Sequence, residues 1–148
     1  MKVLFLFLVL VAAVPVMADK KQDGKKNAEM MKELQDFKIK YLIQEAEITK
    51  EQQPEFIKLY TEMSNAKLSL IKAAHDRHKV LKDKESPTDE EYNSVSEEMA
   101  GARSAEGAVD MKYYREFKKL LSPKQLYKLK DAEMKFNRKM MKMRDKKK

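Results

Sequence analysis

The chain has 148 residues, a formal net charge of +8, eleven Met, three Gly, four Pro and no Cys. That length holds one modest core, and the lack of Cys excludes disulfide support and thiolate metal sites. Residues 112–148 carry 15 basic and 4 acidic side chains, against 16 basic and 20 acidic in residues 19–111, so a cationic last quarter follows a mildly acidic body.

Residues 1–18 form a segment apart. Met1-Lys2 gives a short positive start, residues 3–14 are an unbroken apolar run, and Pro15 ends it before Val16-Met17-Ala18. This is the pattern of a secretory signal peptide cleaved after Ala18. Twelve apolar residues span about 18 Å as a helix, too short for a hydrocarbon core of about 30 Å. The remainder is expected to be soluble and exported. Absence of Cys in an exported chain favours a bacterial periplasm. Nucleic acid is not an expected partner there. A basic exported surface meets anionic lipid headgroups, acidic glycans or acidic protein faces.

After the leader, good helix formers dominate and no segment alternates long enough to make a strand. The fold class is all-α, with four helices. Residues 19–26 are polar and expected to be disordered. A first helix is expected over 27–47, with Met31, Leu34, Phe37/Lys38 and Tyr41 at helical spacing. A second covers 49–82, with Phe56, Tyr60, Met63, Leu70, Ala74 and Leu81 on one side. "KDKESP" is the clearest loop. A third covers 88–120 through Tyr92, Val95, Met99, Ala102, Val109, Tyr113 and Phe117. A fourth covers 122–144 through Leu126, Leu129, Phe136, Met140 and Met143, so the helical domain is 27–144 and a basic tail 145–148 follows.

Three helix starts carry capping boxes. Ser122 is a good N-cap, Pro123 suits the first helical position, and Gln125 reaches back to the Ser122 N–H. Leu121 and Leu126 are placed for a hydrophobic staple. Thr49 and Gln52 repeat the box after Ile48, although Gln53 stands where a staple partner would be. Thr88 and Glu91 form the third. Pro54, just past the Thr49 cap, either kinks the second helix or delays its regular part.

Two of these boxes, Ile48-Thr49-Lys50-Glu51-Gln52 and Leu121-Ser122-Pro123-Lys124-Gln125, resemble the LTxxQ motif that occurs twice in the Spy/CpxP family of periplasmic proteins. Ile48 replaces Leu in one and Ser122 replaces Thr in the other. The order of leader, short helix, motif, two long helices, motif and final helix is similar too, over essentially the whole exported chain. The flanking segments also resemble exported helical proteins of Bacteroides-type bacteria. The resemblance implies a kinked antiparallel helical hairpin that dimerises into a thin curved cradle with a basic, partly apolar concave face. It implies an energy-free chaperone that holds unfolded or envelope proteins. Other members of the family damp an envelope stress sensor kinase, and some relatives bind zinc. Regulation of such a sensor, or a metal response, is therefore the alternative reading.

By this analogy the contact groups are the basic and Met-rich side chains Lys128, Lys135, Phe136, Arg138, Met140, Met141 and Met143. Met at helical spacing also suits a core, but Met140 and Met141 are adjacent and cannot share one narrow stripe. The basic segment suits weak capture of unfolded chains, a frayed tail at a helix C-terminus, or peripheral contact with anionic lipid. "AGARSAEGA", residues 100–108, places two Gly inside the third helix, which fits close helix approach or a bend. His75 and His78 share a helix face, but a zinc site needs three or four ligands. No phosphate loop, nucleophile elbow or helical zinc signature is present, so neither an enzyme nor a cofactor is expected.

Overall fold

The computed structural model describes residues 17–145. The apolar run and Pro15 lie outside them. Four helices follow one another: α1 (Met17–Glu45), α2 (Gln53–Asp83), α3 (Asp89–Leu120) and α4 (Pro123–Asp145). No strand occurs among the described residues. The chain divides into two compact units, Met1–Asp36 and Phe37–Lys148.

In the first unit the described residues are helical throughout, including 19–26, which were expected to be disordered. Ala, Lys, Gln and Glu favour helix by propensity alone. Met30, Met31 and Leu34 are exposed there.

The second unit is built on an antiparallel hairpin of α2 and α3. Ionic partners step down α3 as they step up α2: Lys67 with Asp110 at 3.0 Å, Arg77 with Glu98 at 2.9 Å, Lys84 with Glu91 at 2.6 Å. The Arg77–Glu98 contact is an ion pair without hydrogen-bond alignment, and Arg77 Nη2 instead donates to Ser94 Oγ at 2.9 Å. The turn opens α3 with the expected box. Thr88 Oγ1 accepts from the Glu91 N–H at 3.2 Å, and Glu91 Oε2 accepts from the Thr88 N–H at 2.9 Å. Lys84 holds the Glu91 carboxyl below its ordinary pKa.

The core collects at the other end of the hairpin. Phe56, Leu59, Tyr60 and Met63 of α2 meet Tyr113 and Phe117 of α3 and Leu126, Leu129 and Ala132 of α4. Ile39 and Leu42 come from the end of α1, and Ala46 and Ile48 from the turn after it. Phe56 and Phe117 are fully buried with ring centroids 5.5 Å apart. The α1 face therefore differs from the expected one: Phe37 is exposed, and Ile39 and Leu42 are inside. Toward the turn, among the described residues of this unit, α2 and α3 have only each other to cover them. Of their described residues between Met63 and Tyr113, only Val95 is buried, and Leu70, expected in the core, is exposed.

The α1 terminus is a Schellman turn. The Ile48 N–H donates to Ile43 O at 3.0 Å and the Glu47 N–H to Gln44 O at 3.3 Å. Glu47 sits at φ 53, a conformation usually given to Gly. Regular helix in α2 begins at Gln53, four residues after the expected start, with Pro54 in its first two positions. Pro54 thus delays the helix, because its missing N–H costs nothing in the first turn.

Gly101 and Gly107 lie inside α3, and a methyl group added to either would meet nothing within 4 Å. Close helix approach, one of the two expectations for this segment, is absent at both glycines among the described residues. Gly101→Ala and Gly107→Ala are each expected to stabilise the fold by about 0.5–1 kcal/mol, read as a higher urea midpoint at unchanged slope.

Candidate functional site

The two boxed turns expected from the sequence meet in space. Each first acts locally. Gln52 Oε1 accepts from the Thr49 N–H at 3.1 Å, and Thr49 Oγ1 accepts a long bond from the Gln52 N–H at 3.4 Å. Gln125 Oε1 accepts from the Ser122 N–H at 2.9 Å, and Ser122 Oγ accepts from the Gln125 N–H at 3.2 Å. The two carboxamides then bond each other. Gln125 Nε2 donates to Gln52 Oε1 at 2.8 Å, and Gln52 Nε2 donates to Gln125 Oε1 at 3.2 Å. Each amide also crosses to the backbone before the opposite turn: Gln52 Nε2 to Leu120 O at 2.9 Å, Gln125 Nε2 to Glu47 O at 3.0 Å. Ile48 and Leu121, the residues before the two caps, are both buried.

The result is a local pseudo-twofold lock. Every bond made by one Gln is repeated by the other 73 positions away. Leu121 and Leu126 are buried together in the core, as a hydrophobic staple requires. At the first turn the Gln53 amide donates to Ile48 O at 3.2 Å in place of that apolar contact. Pro123 opens α4, its ring on the rim of a surface groove.

A polar seam borders the same core. Tyr60 donates its hydroxyl to Glu133 Oε1 at 3.0 Å, and Lys130 pairs with Glu133 at 2.8 Å. Burial, reinforced by Glu133, raises the Tyr60 pKa, so the phenol stays a donor. Lys38 lies 5.4 Å above the Phe136 ring and 5.9 Å above that of Tyr60. Burial lowers its pKa against the attraction of Glu133.

The expected contact side chains of α4 divide into three groups. Phe136 is 5% exposed, packed by Phe37 at 6.1 Å and Tyr41 at 5.7 Å between ring centroids. It belongs to the interior, because the end of α1 covers it, and is corrected from contact group to core. Lys128 is paired with Glu47, and Lys135 with Asp131 at 2.6 Å. Arg138, Met141 and Met143 are exposed and Met140 half-buried. Tyr127 and Met134 are exposed in line with Met141. A seven-residue count through Met134 and Met141 would have found that line. An open groove of about 570 Å³ lies beside the second motif, with Tyr114, Lys118 and Tyr127 on its rim and Leu121 and Leu126 beneath.

His75 and His78 are both exposed. Among the described residues no group of three or more His, Cys, Asp or Glu side chains gathers to hold a metal ion. No described helix is long and apolar enough to cross a membrane.

The fold and these turns define the class: an all-α helical hairpin closed by two interlocked glutamine turns. No family model, no curated protein and no solved structure matches the chain.

Proposed function

We propose that the chain is an exported, Spy/CpxP-like homodimeric binder of unfolded or envelope proteins that works without ATP. The observation that carries this reading is apolar exposure. Leu68, Leu70, Ile71, Val80, Tyr92, Met99 and Met111 stand open along the hairpin, and Met134, Met141 and Met143 along α4. Among the described residues the set of exposed large hydrophobics is as long as the buried set. Contiguous apolar exposure marks surfaces that meet other molecules. Met side chains repack around unlike partners, which suits clients with no common shape. The basic last quarter draws acidic segments in, and the apolar side chains hold them. The motif pair has a structural part: it fixes the entry of α2 against that of α4, so that the contact surface keeps its form.

Aggregation of a chemically denatured client, diluted with and without the protein, tests the proposal. Suppression at several-fold excess over unrelated clients is the expected result. Unchanged aggregation across all of them would reject it. Mass in solution tests the dimer, and a monomer at assay concentration would remove that part.

A further inference from the structure

We propose that α4 rests on anionic phospholipid through an outer stripe made by Tyr127, Met134 and Met141. These residues are 75%, 60% and 58% exposed. They recur every seven residues, so they stand almost in line along the helix. The buried residues Leu126, Leu129, Ala132 and Phe136 take the opposite side.

Two cations on one side of the stripe are unpaired, while Lys130 on its other side is paired with Glu133. Lys128 and Lys135 are neutralised by Glu47 and Asp131. Arg138 and Lys142 are exposed and have no ion pair among the described residues. On a helix of 3.6 residues per turn they flank Met134 and Met141 on one side. Beyond Phe136, α4 has no buried side chain among the described residues.

Spacing selects the kind of surface. A partner helix would need two apolar positions per heptad. Three and four residues after Tyr127 and Met134 stand Lys130, Asp131, Asn137 and Arg138, all polar. One file of apolar groups with free cations along one side is too narrow for interdigitating helices. It suits a headgroup layer, where Lys and Arg meet phosphates while Tyr sits at the apolar boundary. The stripe shares Met134 and Met141 with the proposed client surface, so lipid binding is measured without client.

The test uses residues 19–148, which keep every buried residue among those described, Ile39 to Phe136. Sedimentation with vesicles of phosphatidylglycerol and phosphatidylcholine is compared with pure phosphatidylcholine. Binding to the anionic vesicles alone, weakened by salt, is expected. The Arg138→Gln, Lys142→Gln pair should weaken it about 25-fold, each cation contributing about fivefold. The Tyr127→Ser, Met134→Ser, Met141→Ser chain keeps all charges and should also lose several-fold, with unchanged circular dichroism. Leu68→Ser, Ile71→Ser, on the hairpin, should bind like the parent. No binding to anionic vesicles, or binding untouched by the stripe substitutions, overturns the proposal. So does stripe-dependent binding to polyglutamate with none to vesicles, which would assign the stripe to an acidic protein.

Discussion

Gln52→Ala is expected to destabilise the chain by about 2–4 kcal/mol, far above the usual cost of a half-exposed polar side chain. The substitution removes the acceptor of the Thr49 N–H, the donor to Leu120 O and both bonds to the Gln125 amide. A lost hydrogen bond costs about 1 kcal/mol, and each partly buried group left without a partner costs about 1–3 kcal/mol. Gln125→Ala should cost a similar amount, since its bonds mirror these, ending on Ser122 N and Glu47 O. The double variant should cost less than the two single ones together, by about 1 kcal/mol or more, because the shared amide pair is lost only once. A urea-unfolding cycle measures this directly. Strict additivity would mean that the two turns are independent caps, and the interlocked account would be discarded.

Phe117→Ala should have the largest effect, about 3–5 kcal/mol. Phe117 is 1% exposed and its ring meets Phe56 at 5.5 Å and Tyr60 at 6.3 Å. The core is small and lies at one end of the hairpin, so few neighbours can close the cavity. A stability of about 5–15 kcal/mol is typical of folded domains, so this variant should approach unfolding at 37 °C by circular dichroism. Met99→Ala, at an exposed site of α3, is the control and should stay within about 0.5 kcal/mol of the parent. Equal effects from the two would place the stabilising core elsewhere.

Both predictions rest on contacts between parts of the chain far apart in sequence. Composition and caps already make the chain helical and divide it into four. Thr88 and Ser122 cap as expected, and α3 and α4 begin within one residue of the expected positions. Phe56, Tyr60, Tyr113, Phe117, Leu126 and Leu129 are buried where their spacing placed them. Leu70 and Tyr92 have the same spacing and are exposed. Periodicity states which side of a helix is apolar, but not whether another element covers it. On the distal hairpin none does. The same limit hid the role of Phe136, which the end of α1 covers, and the outward stripe that includes Tyr127 and Met134.

Local chemistry sufficed for helices, caps and the charge split, because propensity, side-chain-to-backbone bonds and net charge act within a few residues. Two glutamines 73 positions apart had to be brought together by the hairpin before their amides could pair. Their pairing, the one-ended core and the choice of which methionines face water were decided by tertiary packing. A helix in isolation presents all its faces to solvent, and only its neighbours determine which one is withdrawn.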